Sequence, residues 1–181
     1  KKLHDRVTET WRSAYMDGWA PPIINTHPHH KCHAAAGFQT SPYNEATVVV
    51  IDAIGEIDCA TIWNAYYNKK GVAKYKKIWT LKYPNSIGLF YSAMTKRLGL
   101  RPLDEEYILM GMAAYGEPKY MKELEEKFGA HNDSLLFKEN NHIGIEDDFL
   151  EGANEFDIAA STQRYVERLI KTVMNKARIK G

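Results

Sequence analysis

The chain of 181 residues carries 24 lysines and arginines against 23 aspartates and glutamates, so its formal net charge is only +1. This balance argues against nucleic acid or an anionic membrane as the main partner. Hydrophobic residues make up 44% and charged residues 26%, as in soluble globular proteins, and no apolar run is long enough to span a bilayer. The two cysteines, Cys32 and Cys59, make no disulfide framework, and no signal peptide is visible, which favours a cytoplasmic location.

The two ends of the sequence lead us to expect a part of a longer chain. The sequence opens at Lys1 without an initiator methionine, and the last helical pattern runs out at Lys180-Gly181. Near the beginning, Val7 and Trp11 stand at helical spacing, which predicts an amphipathic helix over residues 5–18.

A helix and three strands are predicted next. The alanine-rich stretch from His29 to Phe38 predicts a compact helix. Thr47–Ile51 is a continuous β-branched run, the pattern of a strand buried on both faces. Cys59–Tyr67 and Ala73–Leu81 are further strand candidates, and Asn68-Lys69-Lys70-Gly71 between them has the composition of a hairpin turn. Sequential strands with short connections predict a three-stranded antiparallel meander.

Helices are predicted for most of the remaining sequence. Ser86 can cap a helix that stops at Gly99, and Glu117-Pro118 is predicted to open a charged helix that ends at Gly129. The other predicted elements are a helix over Glu105–Ala114, a last helix from about Asp157, and short strands at Leu135–Phe137 and His142–Ile145. The last helix carries an apolar stripe made of Ile158, Tyr165, Leu169, Val173 and Ala177.

Four of the seven histidines lie in one segment, His27-Pro28-His29-His30-Lys31-Cys32-His33. Two histidines four residues apart on a helix, here His29 and His33, share one face. Asp52, after the first β-branched run, could add a carboxylate from a second element, and imidazole with carboxylate suits zinc, iron or manganese. The alternative is a polar helix start with solvated or hydrogen-bonded histidines, which is the better interpretation for an isolated pair.

Two further segments have both a ligand-binding and a structural interpretation. The chain after Asp52 turns through Gly55-Glu56, where carboxylates and backbone N–H groups could meet a phosphate or a metal. The helix start at Ser86 could seat an anion. Taken alone, an ordinary acidic hairpin turn and a capped helix that packs through Phe90 are the stronger interpretations.

Taken in order, these segments resemble the O-carbamoyltransferases of nodulation-factor and antibiotic biosynthesis. The resemblance covers nearly the whole chain at compatible spacing. The matching segments are His29-His30-x-x-His33-Ala34-Ala35-x-x-Phe38, Ser41-Pro42-Tyr43-x-Glu45-Ala46, Val50-Ile51-Asp52-x-Ile54-Gly55-Glu56, Tyr83-Pro84-x-Ser86-Ile87-Gly88-Leu89-Phe90-Tyr91-Ser92, Glu106-Tyr107, Met110-Gly111-x-Ala113-x-Tyr115-Gly116-Glu117-Pro118 and Asp157-Ile158-Ala159-Ala160-Ser161-x-Gln163.

This resemblance implies a mixed α/β (α+β) fold, a fragment of the actin-like ATPase (RNase H-like) fold in which a three-stranded antiparallel meander is followed by helices. Residues 1–45 would close the first actin-like half and contain the His-x-x-x-His helix. Residues 46–181 would begin the second half, which would be incomplete. The adenylate-forming domain of the family would lie outside this sequence.

The resemblance also implies an enzyme that transfers a carbamoyl group from carbamoyl adenylate, made from carbamoyl phosphate and ATP, to a hydroxyl of a sugar or secondary metabolite. The family's metal ligands carry over to His29, His33 and Asp52, with Fe²⁺ as the expected ion and Zn²⁺ or Mn²⁺ as alternatives. His30 and Glu56 are the candidate catalytic residues, which could orient the acceptor or take its proton.

Two residues are candidates for contact with the bound nucleotide, ATP or carbamoyl adenylate, namely Gly55 and Ser86. The sequence also departs from the family in two places. Ala53 stands where glycine is usual, and Ala114 stands where proline is usual. These departures affect loop geometry more than the metal ligands.

Two alternative functions are weighed against this one. The first is a relative that transfers a threonylcarbamoyl group to tRNA, which the segments at Tyr83–Ser92 and Met110–Pro118 and the low net charge disfavour. The second is a non-catalytic, truncated or split module that works only with a second chain carrying the missing segments.

Overall fold

The computed structural model of the protein describes residues 6, 9–10, 25–129, 135–146 and 148–180. Apart from residues 6, 9 and 10, the helix predicted over residues 5–18 lies outside the described residues. The described elements, in chain order, are α1 (His29–Gln39), β1 (Glu45–Gly55), β2 (Asp58–Tyr67), β3 (Ala73–Lys82), α2 (Ile87–Arg97), α3 (Glu106–Ala113), α4 (Met121–Phe128), a short 3₁₀ helix (Asn141–Ile143) and α5 (Glu155–Lys180).

The three strands form one antiparallel sheet in the order β1-β2-β3, which confirms the predicted meander. Ile62 at the centre of β2 pairs with Val49 of β1 and Trp79 of β3. The second connection is the predicted hairpin turn: the Asn68 side chain accepts the backbone N–H of Val72, and Gly71 has a φ of 72°. Only glycine adopts this left-handed conformation without a steric cost.

β1 is longer than predicted and reaches Gly55 through an irregularity in its pairing after Ile51. The first turn is correspondingly short, because Glu56 takes a φ of 63° and reverses the chain. The extension matters for the site, since it keeps Asp52 within the strand rather than in a loop. Asp52 therefore has its direction set by the alternation of the strand.

The sheet is covered on both faces, as the β-branched run predicts. Val48 and Val50 contact Ala34 of α1 and Trp63 of β2 in a small core. Val49 packs instead against the main core, which α2 to α5 form with the sheet. A mixed α/β unit with helices after a three-stranded sheet is confirmed, and α1 lies directly on the sheet.

Aromatic rings fill the centre of the main core. Phe90 has no solvent exposure, and its ring centroid lies 4.9 Å from that of Phe128, 5.3 Å from Tyr165 and 5.5 Å from Phe137. All five residues of the stripe predicted for the last helix are buried. None of the helices in the described part of the chain is both long enough and apolar enough to cross a membrane.

The start of α4 differs from the prediction. The helix begins at Met121, so the predicted start at Glu117-Pro118 is wrong, although Gly129 ends the helix as expected with a φ of 68°. The backbone N–H groups of Glu117 and Tyr120 donate to side chains of α5, the first to Oδ1 of Asp157 at 2.8 Å. These contacts hold the preceding residues in an irregular connection against α5.

The two short strands predicted between α4 and α5 are also wrong. Residues 135–137 form no strand, and the backbone N–H of Phe137 donates to Oδ1 of Asn85. Residues 142–145 fall partly in the 3₁₀ helix Asn141–Ile143, where the Asn140 side chain accepts the backbone N–H of His142. Asparagine side chains compete with strand pairing for backbone groups, which explains both differences.

Candidate metal centre

Three predicted ligands come from two adjoining elements. His29 and His33 lie on consecutive turns of α1, so their rings stand on one face of the helix. Asp52 has the same parity in β1 as Val48 and Val50, the residues that face α1. The packing of α1 on β1 therefore brings the carboxylate to the two imidazoles.

The ligand atoms converge. The Nε2 atom of His29 lies 2.7 Å from Oδ2 of Asp52 and 2.9 Å from Nε2 of His33. The third side, from Nε2 of His33 to Oδ2 of Asp52, is 3.6 Å. Two atoms that coordinate a tetrahedral ion at about 2.0–2.1 Å lie about 3.3 Å apart, close to these separations. In the described part of the chain this is the group of His, Cys, Asp and Glu residues that could hold a metal ion.

The three donor atoms suit a bound cation better than a set of hydrogen bonds among themselves. A neutral imidazole nitrogen either donates one proton or accepts one. Nε2 of His29 faces both a carboxylate oxygen and a second imidazole nitrogen, so a single proton there satisfies only one neighbour well. A divalent ion accepts electron pairs from all three atoms at once. The side chains of His29, His33 and Asp52 are 46%, 52% and 30% exposed, so an ion there could be reached from solvent.

The electrostatics of Asp52 favour the ligand form of the carboxylate. Burial alone raises the pKa of Asp52, but the hydrogen bond with His29 and the backbone N–H of Ala53 outweigh it, helped by the charges of His29 and His33. The pKa of Asp52 consequently lies below its ordinary value. The Ala53 N–H donates to Oδ1 at 2.7 Å, which leaves Oδ2 directed at the imidazoles.

His30 occupies a different environment from its neighbours. It is only 2% exposed, and burial lowers its pKa even though Asp58 and Asp52 act in the opposite direction. Its Nδ1 lies 2.9 Å from Oγ1 of Thr61, which also accepts the indole N–H of Trp63 at 2.7 Å. This second bond favours a Thr61 hydroxyl that donates to Nδ1, so the proton of the neutral ring sits on Nε2.

Thr61 and Trp63 lie at the site but are not among the candidates that the sequence motifs indicate. The alternation of β2 puts both residues on one face of the sheet, and that signal could have found them. The Thr61 hydroxyl contacts the ring of His30, and the Trp63 indole holds that hydroxyl by donating to it. Nε2 of His30 is buried with no hydrogen-bond partner among the described residues.

Gly55 closes the site from the strand side. A Cβ atom at this position would lie 2.5 Å from Cδ2 of both His29 and His30, and 2.9 Å from Nε2 of His30. No side chain fits there without moving the rings. The next residue, Glu56, is exposed, and its carboxylate makes no hydrogen bond or ion pair with the described part of the chain.

Ser86 joins the first strand to α2. It is 1% exposed; its hydroxyl donates to the backbone carbonyl of Ala53 and accepts the N–H of Leu89 at 3.0 Å. The hydroxyl is thus engaged within the fold, and its predicted contact with a nucleotide stays a prediction. Cys32, between the metal ligands in sequence, is exposed and does not belong to the cluster.

The fold and the site together define a helix-on-sheet unit with a His-x-x-x-His and aspartate cluster. Residues 16–180 match the family described as Carbamoyltransferase N-terminus, and the chain belongs to that family. This confirms the resemblance inferred from the sequence motifs.

Three relatives match shorter stretches. The chain is 40% identical over 101 residues, 56% of its length, to the uncharacterized protein sll1178 of Synechocystis. It is 30% identical over 108 residues, 60% of its length, to the nodulation protein NolNO of Sinorhizobium fredii, and 32% identical over 102 residues, 55% of its length, to the nodulation protein NolO of Bradyrhizobium diazoefficiens. The matched stretches span 15%, 15% and 17% of these relatives, respectively.

Proposed function

We propose that this chain provides the metal-binding part of an O-carbamoyltransferase. The reaction takes the carbamoyl group of carbamoyl adenylate, itself made from carbamoyl phosphate and ATP, to a hydroxyl of a sugar or secondary metabolite. The observation that supports this most directly is the convergence of His29, His33 and Asp52 in a member of the carbamoyltransferase family. The division into two actin-like halves at residues 45 and 46 belongs to the same proposal.

In the reaction, the acceptor oxygen forms a bond to the carbamoyl carbon and the bond from that carbon to the phosphate oxygen breaks. AMP leaves with the bonding electron pair, and the acceptor hydroxyl loses its proton. A bound Fe²⁺, or Zn²⁺ or Mn²⁺ in its place, would supply Lewis-acid stabilisation of the negative charge that develops on oxygen. His29, His33 and Asp52 would hold this ion.

The remaining candidate residues take roles that suit their surroundings. Glu56 is exposed beside Gly55, so its carboxylate is the one we propose to accept the proton of the acceptor hydroxyl. His30 is buried, burial lowers its pKa, and its Nδ1 meets the Thr61 hydroxyl, which suits a positioning role beneath the metal ligands rather than that of a base. Gly55 leaves the space that these rings need, and Ser86 fixes the strand end against α2.

The proposal includes the partners and location that this reaction requires. The small-molecule substrates are carbamoyl phosphate, ATP and the hydroxyl acceptor, and the adenylate-forming step takes place on a further domain or a second chain. Neither nucleic acid nor a membrane has a role in it. The cytoplasm is the location that we propose for it.

A transfer assay tests this function. The chain is loaded with Fe²⁺ and mixed with an adenylate-forming carbamoyltransferase domain, ATP, labelled carbamoyl phosphate and a panel of sugar and aminoglycoside acceptors. We expect labelled acceptor with the unchanged chain and with Cys32→Ser, whose side chain lies outside the metal cluster. Asp52→Asn and His33→Ala should lower the rate at least about a hundredfold. Equal rates in all four proteins would refute a metal-assisted transfer at this site.

A further inference from the structure

A cavity lies beside α2. It has a volume of about 220 Å³, and its walls come from α2, the connection after α2, and the 3₁₀ helix. None of the three candidate metal ligands lines it. The residues that matter for its chemistry are Leu89, Ala93, Lys96, Leu103, Asn141 and His142.

Asn141 is the most informative of these residues. It is only 3% exposed, and its amide Nδ2 is buried without a hydrogen-bond partner among the described residues. A buried amide of this kind is unfavourable unless an acceptor meets it. Because Asn141 lies in the wall of the cavity, a ligand in the cavity can supply that acceptor.

Two further side chains at the cavity, Lys96 and His142, can donate hydrogen bonds to the oxygens of an anion. Lys96 forms no ion pair within the described chain, and its Nζ lies 3.7 Å from where a Cβ on Gly144 would stand, at the same wall. The imidazole of His142 packs edge to face on Tyr83, with ring centroids 5.9 Å apart, which holds the ring at the cavity. No aspartate or glutamate is among the described residues of the wall. Glu106 lies behind it, and its carboxylate accepts the Ser92 hydroxyl and the Leu103 N–H.

We propose that this cavity binds a small organic anion, with an oxyanion head of the phosphate or carboxylate type and an apolar body. Lys96 supplies the charge, and the amide of Asn141 and the imidazole of His142 donate to the oxygens. Leu89, Ala93 and Leu103 form an apolar wall against which the body of the ligand packs. The site uses none of the three candidate metal ligands, and the proposal does not rest on the transferase activity.

Binding of three probes tests the proposal: inorganic phosphate, phenyl phosphate and benzoate. Calorimetric titration of the unchanged chain should show phenyl phosphate or benzoate binding at least about tenfold more tightly than inorganic phosphate, because only these two carry an apolar body. Tight binding of inorganic phosphate alone would show an ion site and overturn the organic ligand. Absence of binding by all three probes at millimolar concentration would overturn the site itself.

Two variants locate the site. Lys96→Met should weaken binding of the preferred probe roughly tenfold or more, whereas Lys69→Met in the exposed hairpin turn should leave it unchanged. Asn141→Leu keeps the volume and removes the unpartnered amide, so the free protein should unfold at an unchanged or higher temperature while binding is lost. If both Lys96→Met and Asn141→Leu bind as the unchanged chain does, the probe sits elsewhere and the assignment is wrong.

Discussion

The Nε2 atoms of His29 and His33 lie 2.9 Å apart, and Oδ2 of Asp52 lies within 3.6 Å of both. Two turns of one helix and the middle of a strand thus place three electron-pair donors around one point. This relationship is the physical basis of the proposed metal centre.

Metal binding should stabilise the folded chain. An ion that binds only the folded state at a free concentration one hundred times its Kd raises the unfolding free energy by about 2.7 kcal/mol. Urea unfolding with and without Zn²⁺ or Fe²⁺ measures this difference. His33→Ala should lose most of the stabilisation and Cys32→Ser should keep it; stabilisation that survives in His33→Ala would place the ion elsewhere.

The space beside Gly55 should control metal affinity. In Gly55→Ala the new methyl group would stand 2.5 Å from Cδ2 of His29 and of His30, so the rings must shift. We expect metal affinity to fall at least about tenfold, with a stability loss of about 1–3 kcal/mol from overpacking. A metal titration followed by urea unfolding separates the two effects.

Gly111→Ala is the matched control for this change. Gly111 lies within α3, and a Cβ there would meet nothing within 4 Å. Alanine should therefore stabilise the helix by about 0.5–1 kcal/mol and leave metal affinity unchanged. A drop in affinity in this variant would mean that the Gly55→Ala result reflects a general loss of structure.

The aromatic cluster should carry a large share of the stability. Phe90→Ala removes the ring that contacts Phe128, Phe137 and Tyr165 and leaves a cavity, which costs about 3–5 kcal/mol. Tyr107→Ala, at a side chain that is 67% exposed, should change the unfolding free energy by no more than about 0.5 kcal/mol. Similar midpoints of urea unfolding in the two variants would contradict the described core.

The contact between Asp157 and the connection before α4 should depend on pH. The hydrogen bond from Lys119, followed by the backbone N–H of Glu117, holds the pKa of the Asp157 carboxyl below its ordinary value. Its contribution is therefore fully present above the unfolded pKa of about 3.9 and is lost as pH falls through the lower folded pKa. The stability difference between the unchanged chain and Asp157→Asn, measured by thermal unfolding from pH 6 to pH 3, should shrink with acid. A constant difference would exclude the charge of Asp157 as its source.

The sequence predicted those elements whose pattern is local. Three local patterns each indicate the conformation of a few residues, and all three are confirmed. They are the β-branched run Thr47–Ile51, the turn at Asn68–Gly71 and the capping hydroxyl of Ser86. The candidate ligand set combines the local spacing of His29 and His33 with Asp52 in the next strand, and it stays a prediction that the family resemblance implies. Its three members meet because α1 packs on the face of β1 that carries Asp52.

The predictions that were wrong concern segments whose conformation depends on distant partners. The residues from Glu117 to Tyr120 are held by side chains of α5 some forty positions away. Phe137 gives its backbone N–H to Asn85 rather than to a neighbouring strand. Thr61 shows the same limit in part: the alternation of β2 indicates its face of the sheet, but its contact with His30, 31 positions away, depends on how α1 packs on the sheet.

The length of α5 has a consequence for how the protein opens. This single helix of 26 residues touches β1, α2, α3 and α4, so its hydrogen bonds are secured by nearly every part of the main core. Fluctuations confined to one neighbour cannot release its central turns. Amide protons between Tyr165 and Leu169 should therefore exchange with solvent only through global unfolding, and their exchange would report the stability of the whole unit.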